Sequence, residues 1–499
     1  RLSKPQYNIK SDNLLMNNDA IFQLNLIENK ELSSKYNCLL KVIDKTKTNM
    51  GKRLLRTRLL NPLTDVEMIN ERYDKINNMI PIYKQYDLLK DVCDIEKKWR
   101  KINLYRLETG ELLQLYETFK VILGIINIDS KFTFPEDKIQ SFINYIENTF
   151  NTELLKSYDN LNYYKEGVYK ELDKANNKIK ENKNELLKIA NRFAFYIDPD
   201  KADIVKVIND KGSYCLSIST GRYKVLKGKM NSFEIENFDK SKIDVKTNKT
   251  NVKLYHPDFD KRSNSIDYYT NKLKKLIEEK YRDSLNYILD SYSDTFLKLI
   301  EFISDLDVVY SSAKVADIYK YCKPEIEGEN SHINCQDIRH PIIERIINEE
   351  YIRNNVLLDN SNSLLLYGVN SCGKSSYLRS VGTNIILAQS GFYTAATEFK
   401  YRPFKKLMTK ISITDNLFKN QSTFVLEMNE LKYIQNNADE NSLILVDELT
   451  AGTEIDSALA IVVESIKYLL KKNAILIFTT HIYEVADYLK EINIKHFDI

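Results

Sequence analysis

Residues Gly368-Val369-Asn370-Ser371-Cys372-Gly373-Lys374-Ser375 satisfy the pattern GxxxxGK[ST], and they constrain the fold more tightly than any other stretch of the chain. The octet follows the apolar run 364–367 and opens a helical stretch, so the order is strand, tight loop, helix. That order places backbone N–H groups around a loop at a helix N-terminus, where they can wrap a phosphate. Glycine is scarce here, with 13 in 499 residues against a usual ~7%. A chance match to the pattern in such a chain is on the order of one in a hundred.

Length and composition bound the rest. At roughly 150 residues per domain, 499 residues predict about three domains. The 43% of hydrophobic residues suffice for several cores, while no run of 18 apolar residues exists to span a membrane. The 73 basic and 70 acidic residues leave a net charge of +3, so a nucleic-acid surface would have to be a local patch. Six scattered cysteines form no CxxC pair and no metal-ligand spacing. They fit an intracellular, reducing compartment such as cytoplasm, nucleus or organelle matrix. Residues 1–19 are polar and lack the apolar core of a signal peptide. A chain that begins at Arg1 and stops at Ile499 reads as a fragment.

The first 155 residues have helical periodicity, broken at Asn61-Pro62 and Ile80-Pro81. Val168, Leu172, Ala175, Ile179, Leu186 and Ile189 fall near heptad spacing, with a polar slot between Ile179 and Leu186. Leu273, Ile277, Tyr281, Leu285, Ile288, Tyr292, Phe296, Leu299 and Ile303 repeat the pattern. Each stretch predicts a helix of about 35 residues, roughly 50 Å long, and the two narrow stripes fit an antiparallel pair. Between them Tyr214, Leu216 and Ile218 alternate with Cys215, Ser217 and Ser219. Thr220-Gly221 then reads as the turn of a hairpin that continues through 222–226. Arg222, Lys224, Lys227 and Lys229 bunch on or just after it, as either a solvated surface or a binding site. From about residue 325 short apolar runs alternate with helical stretches, the texture of a mostly parallel, covered sheet. The expected boundaries are 1–195 for a helical core and first long helix, 196–261 for a β-containing insertion, 262–324 for the returning helix and 325–499 for the α/β domain.

Within that α/β domain, Lys374 is placed to reach the β- and γ-phosphates of a nucleotide, and Ser375 to ligate Mg²⁺. The run 443–446 ends in Asp447-Glu448, where Asp447 fits a metal-organising acid and Glu448 a base for attacking water. An acidic pair after a strand is ordinarily just a loop start. Behind a P-loop in the same domain, it distinguishes NTP hydrolysis from phosphate binding. His481 ends the next apolar run, 475–478, after Thr479-Thr480, at the sheet edge where α/β proteins place ligands. It is therefore read as a contact to the γ-phosphate or the attacking water.

The separation of Lys374, Asp447 and His481 suits ABC-type ATPases, but no LSGGQ-like signature is present. In that interval Asn420-Gln421-Ser422-Thr423-Phe424-Val425-Leu426-Glu427-Met428 resembles the STF-x-x-EM element of the MutS mismatch-repair family. Arg339-His340-Pro341-Ile342-Ile343-Glu344 is similar to the RHP-led entry to that family's ATPase domain, and Leu387-Ala388-Gln389-Ser390-Gly391 to its LAQ-x-G. Thr409-Lys410-Ile411 through Asp415 resembles TRIGA-x-D, with Lys410 in place of Arg. Near the start, Met50-Gly51-Lys52-Arg53-Leu54-Leu55 through Asn61-Pro62-Leu63 is similar to the family's core segment. The resemblance covers nearly the whole chain.

It implies a multidomain architecture: an all-α lever and core with long antiparallel helices, a small β-containing clamp insertion and a C-terminal α/β P-loop ABC-type ATPase domain. It further implies an ATP- and Mg²⁺-dependent hydrolase acting in mismatch repair as a clamp on double-stranded DNA or DNA junctions. The partner subunit would be a second copy or a paralogue, and no membrane is involved. Gly368, Asn370, Ser371, Cys372, Gly373, Lys374, Ser375 and Ser376 would cradle ATP. Tyr351 falls near the family's adenine-stacking Phe, and Ser422 and Thr423 would complete the partner's site in trans. Arg222, Lys224, Lys227 and Lys229 would touch DNA phosphates. Thr450-Ala451-Gly452-Thr453 stands where the family has GRGT. The family's mismatch-reading domain, with its Phe-x-Glu wedge, has no counterpart ahead of the core segment, and its helix-turn-helix none after Ile499. Two alternatives are a MutS-like protein for recombination intermediates or other nucleic-acid structures, and an SMC- or Rad50-like ABC ATPase. The latter places its P-loop near the chain start, unlike Lys374.

Overall fold

The computed structural model describes residues 13–17, 19–28, 35–156, 162–230, 238–368, 372–411, 423–449, 454–489 and 494–497. Asn370, Ser371, Ser422 and the segment 450–453 lie outside the described residues, as does the side chain of Thr423. The chain is mostly helical, with small sheets, and divides into two units. One comprises Arg1–Ile95, Gly124–Phe134 and Lys298–Ile499, and the other Glu96–Leu123 and Pro135–Leu297. No helix among the described residues is long and apolar enough to cross a membrane.

The second unit is built on helices and aromatic packing. Trp99 stacks on Phe296 at 4.8 Å, and Phe119 lies 4.2 Å from Phe142 and 5.2 Å from Phe296. Helix Lys170–Ile197 runs beside the first part of helix Pro257–Tyr319. Arg262 meets Glu185 at 3.7 Å, Asn182 meets Ser265 at 3.3 Å and Lys280 lies over the Tyr169 ring at 5.6 Å. Rising numbers on one helix meet falling numbers on the other, so the pair is antiparallel. Asn182 fills the polar slot of the apolar stripe and finds its partner in Ser265. The helices have 28 and 63 residues, not about 35 each. The first stops before Asp198-Pro199, where the pre-proline residue disfavours helix. The second meets neither glycine nor proline between Asp258 and Tyr319, so nothing local ends it.

Between these helices four antiparallel strands stand in the order Val205–Asp210, Ser213–Ser219, Asn251–Tyr255, Asp244–Thr247. The hairpin turn is not at Thr220-Gly221. It falls at Lys211-Gly212, both in the left-handed region (φ 55° and 92°), as a two-residue turn between right-twisted strands requires. Thr220–Lys229 is instead a helix, anchored by the fully buried Leu226. Arg222, Lys224, Lys227 and Lys229 are therefore exposed helical residues rather than strand residues.

In the first unit a six-stranded parallel sheet is ordered Leu15–Met16, Lys406–Lys410, Ser442–Asp447, Ile475–Thr480, Ser363–Tyr367, Ile494–Phe497. Strands Ser442–Asp447 and Ile475–Thr480 are buried at every position, which explains their unbroken apolar runs. A four-stranded sheet of Glu325–Ile326, Glu398–Arg402, His332–Ile338 and Asn354–Leu358 accompanies it. Helix Lys374–Gln389 packs so closely on the parallel sheet that a Cβ on Gly382 would lie 2.7 Å from Leu445.

The N-terminal helices join this unit through a buried carboxylate. Asp307 accepts hydrogen bonds from the backbone N–H of Lys47 (2.8 Å) and Thr48 (2.7 Å) and from the Thr48 hydroxyl (2.7 Å). Thr48 in turn caps helix Asn49–Leu60 by accepting from Gly51 N at 2.9 Å. Burial pushes the Asp307 carboxyl up from its ordinary range, so its three donors are what keep it in place. A Cβ on Gly51 would stand 2.2 Å from an Asp307 oxygen, which gives the glycine of the Met50-Gly51 segment its physical reason. Gly51→Ala is expected to destabilise the protein by about 1–3 kcal/mol through overpacking and displacement of the cap. A denaturant midpoint equal to wild type would refute this.

Candidate active site

The C-terminal ends of neighbouring parallel strands gather Lys374, Asp447, Glu448 and His481. Gly373 directly precedes helix Lys374–Gln389 at φ 106°, a backbone angle open chiefly to glycine. A Cβ on Gly368 would meet the Cys372 sulfur at 3.3 Å, so these two residues approach each other closely. Lys374 is buried, and its ammonium donates to the Gly368 carbonyl at 2.9 Å, with Cys372 Sγ 3.8 Å away. Ser375 and Ser376 follow in the first helical turn, both half-buried.

Strand Ile475–Thr480 lies between the Asp447 strand and the P-loop strand, and this position explains the convergence. Asp447 is buried and accepts from the Thr479 hydroxyl at 2.6 Å. Glu448 has φ 48°, unusual for a residue with a Cβ, and its N–H donates to Thr479 O and Oγ1, both at 3.2 Å. His481 Nδ1 donates to the same Gly368 carbonyl at 2.9 Å, and its Nε2 hydrogen-bonds a Glu448 carboxylate oxygen. With Nδ1–H given to a carbonyl, Nε2 meets Glu448 either as a second donor or as acceptor from a protonated carboxyl. Either way the pair shares a proton. Lys374, His481 and Glu448 are thus linked through one carbonyl and one ring. Thr479 was not assigned a role by sequence reasoning, although the Thr479-Thr480 doublet marks the strand end that supplies it.

Beside the loop lies a cavity of about 560 Å³ whose lining includes Tyr351, Ile343, Ile346, Ile347, Gly373 and Ser376. Cys372 lines it too, so the structure brings Tyr351 and the loop residues to one place. Burial pushes the Tyr351 hydroxyl up. The isoleucines were not anticipated; their signal is the three- and four-residue apolar spacing that follows Arg339-His340-Pro341.

His340 itself is buried, and its Nδ1 accepts from Ile342 N at 3.2 Å and Ile343 N at 3.3 Å. Burial first, then the nearby Arg379 charge, holds its pKa down to about 3. Arg379 is pulled below its ordinary range by burial, against the opposing charge of Asp447, and its buried Nε has no hydrogen-bond partner among the described residues. Lys410 pairs with Glu427 at 3.3 Å, so two of the segments that carry the family resemblance meet. In the other unit, Arg222, Lys224 and Lys227 are solvent-facing, while Lys229 donates to Tyr196 O at 3.1 Å.

Residues 19–313 match the family described as MutS domain III, and residues 364–499 match MutS domain V. The first match alone covers more than half of the chain. The chain belongs to the MutS family. It is 29% identical, over 99% of its length, to a DNA mismatch repair protein mutS homologue of Acanthamoeba polyphaga mimivirus. A mitochondrial DNA mismatch repair protein mutS homologue of Sarcophyton glaucum is 30% identical over 95% of the chain. The DNA mismatch repair protein MutS of Fusobacterium nucleatum is 30% identical over 98%. The chain spans about half the length of the curated relatives it matches, covering 51%, 49% and 54% of these three.

His340 generates a pH dependence. Its folded pKa lies well below the unfolded value of about 6.5. The unfolded chain therefore binds a proton that the folded one refuses, and stability present above pH 6.5 is lost as pH falls, by up to about 1.4 kcal/mol per unit. In His340→Asn, whose amide oxygen can accept the same two N–H groups, the stability slope between pH 6.5 and 5 is expected to flatten. An unchanged slope in denaturant titrations would count against His340 as its source.

Proposed function

We propose that this MutS-family chain is an ATP hydrolase whose nucleotide state switches a DNA clamp acting in mismatch repair. The observation that carries the reading is the convergence of Lys374, His481 and, through His481, Glu448 on the Gly368 carbonyl, with Asp447 on the adjacent strand. The donor set fits a magnesium nucleotide. A buried ammonium and the first-turn N–H groups suit phosphate oxygens, and the Ser375 hydroxyl and Asp447 carboxylate are the hard oxygen ligands Mg²⁺ prefers. Bound ATP and Mg²⁺ would supply a γ-phosphoryl group for water to attack and a cation to neutralise its charge.

The chain's own residues have distinct roles in this reading. Lys374 exchanges the Gly368 carbonyl for phosphate oxygens. Thr479 holds Asp447, which would be a Mg²⁺ ligand, through its hydroxyl and fixes the turn at Glu448 through its carbonyl. Glu448 takes the proton of the attacking water, and His481 orients its carboxylate and balances negative charge near Gly368. Tyr351 and the isoleucines hold the base in the adjoining cavity. Gly368, Asn370, Ser371, Cys372, Gly373 and Ser376 shape the phosphate cradle. Ser422 and Thr423 complete the site of a partner subunit, either a second copy or a paralogue.

The division into a helical core with its first lever helix (1–195), clamp insertion (196–261), returning lever (262–324) and ATPase domain (325–499) belongs to the same proposal. So do double-stranded DNA as ligand and Arg222, Lys224, Lys227 and Lys229 as phosphate contacts. The relatives' names, all of DNA mismatch repair proteins, support it.

Glu448→Gln keeps size and polarity but removes the base. It is expected to retain ATP binding while turnover falls by about 10²-fold or more. Unchanged hydrolysis would refute the role of Glu448, and lost binding would assign it to the cradle instead.

A further inference from the structure

One edge of the six-stranded sheet is closed by the N-terminal segment, and partly by its side chains. Strand Leu15–Met16 pairs in parallel with Lys406–Lys410, with Leu15 opposite Lys406 and Met16 opposite Leu407. The strand stops at Met16, and the short helix Ala20–Gln23 follows. Two side-chain amides then continue the pairing. Asn17 Nδ2 donates to Thr409 O at 2.8 Å, and Asn17 Oδ1 accepts from Thr409 N at 3.0 Å. Gln23 Oε1 accepts from Ile411 N at 3.1 Å and from the Thr409 hydroxyl at 2.6 Å. A side-chain amide offers the donor and acceptor of a peptide, so these groups stand in for an edge strand. Gln23, Thr409 and Ile411 are all buried, and removing the Gln23 oxygen would leave two donors without water.

Lys410 stands between the two residues so held. Side chains alternate along a strand, so Lys410 projects on the face opposite Thr409. In the neighbouring strand it lies opposite Val446, one residue before Asp447. Its buried ammonium pairs with Glu427, which is itself largely buried. Glu427 belongs to the first turns of helix Thr423–Asn437, and that helix lies against strand Lys406–Lys410. The N-terminal segment thus grips Thr409 and Ile411, while the residue between them grips the helix. Leu24, next to Gln23, is fully buried and would stand 2.9 Å from a Cβ on Gly382. The segment therefore also bears on helix Lys374–Gln389, which limits how far the amides can shift.

We propose that Gln23 and Asn17 are positioning residues for ATP hydrolysis. By fixing Thr409 and Ile411 they place Lys410 and, through Glu427, the start of helix Thr423–Asn437. The inference rests on the reading that Ser422 and Thr423 complete a partner subunit's site, and it deepens that reading by naming what holds their helix. Both amides act at a distance from the nucleotide. Loosening them displaces the helix offered to the partner and leaves the chain's own Lys374, Asp447, Glu448 and His481 in place. The defect is therefore one that a partner with an intact helix can make good.

Two measurements on Gln23→Leu test this, with the half-buried Asn17→Ala taking its place should the first variant not fold. In hydrogen exchange of the whole chain, the amides of residues 427–434 are expected to exchange about tenfold faster than in wild type. Those of helix Lys374–Gln389 should stay within about two-fold. Unchanged exchange in 427–434 overturns the inference, and so does equal loosening of both helices, which would mean a general loss of stability. In ATP turnover, kcat is expected to fall about tenfold or more while KM moves less than about two-fold. Co-expression with Glu448→Gln, whose own site is idle but whose helix is intact, should then raise turnover to roughly a quarter of wild type, the share of competent sites in randomly paired dimers. Ser422→Ala is the control for that rescue. A rescued Ser422→Ala beside an unrescued Gln23→Leu overturns the inference. If neither is rescued, completion of the site by a second copy fails, and the exchange result alone upholds or overturns the positioning role.

Discussion

The side-chain amide of Gln389 ties the C-terminal end of helix Lys374–Gln389 to the rest of its unit. Its nitrogen donates to Leu63 O at 2.8 Å and Phe404 O at 2.9 Å, and its oxygen accepts from Phe404 N at 3.0 Å. The Gln389 carbonyl also accepts from Leu63 N at 2.6 Å. All of these groups are buried, so each lost bond would leave a polar atom without water. One turn of chain around it is equally committed. Tyr73 donates to Ala388 O, Arg72 donates to Ser390 O, and Gly391 at φ 80° admits the Arg72 side chain where a Cβ would clash at 2.4 Å. The helix that begins at Lys374 is thus tied at both ends, by the Lys374–Gly368 hydrogen bond and by the N-terminal helices. Its 16 residues span about 24 Å, and nearly all of them are buried.

A helix so constrained explains why the family-like segments are dispersed along the sequence yet meet in space. Asn61-Pro62-Leu63 and Leu387-Ala388-Gln389 are two halves of one hydrogen-bonded joint. Met50-Gly51 leaves room for Asp307, and Arg339-His340 docks on the same helix through Asn384, which donates to Arg339 O at 3.0 Å. Lys410 reaches Glu427. Each is a place where backbones approach closely or a buried charge needs a partner, and few residue types satisfy such conditions.

Much of this was legible from spacing. The strand–loop–helix order around Lys374, the apolar runs before Asp447 and His481, and the two long apolar stripes all have counterparts in the structure, because periodicity reports burial directly. The hairpin was misplaced because its turn uses Lys211 ahead of Gly212, and lysine carries little turn signal, whereas Thr220-Gly221 carries more than the helix there justifies. The lengths of the long helices were misjudged because a heptad stripe shows where a helix is covered, not where it stops. Thr479 and the isoleucines beside Tyr351 stayed hidden because their roles arise from neighbours in the sheet and the cavity, not from sequence spacing.

The sequence by itself determined the family, the helix that follows Gly373, and which carboxylates and histidine are candidates. These depend on local backbone geometry and on residue chemistry that few alternatives can supply. Only the tertiary structure decided that His481 and Lys374 share the Gly368 carbonyl, that a neutral His340 sits beside Arg379, and that Lys206, Ser217, Lys253 and Lys246 form one row across the insertion's sheet. Those arrangements depend on strand order and register, which bring residues dozens to more than a hundred positions apart within a few ångströms. No local pattern encodes that proximity.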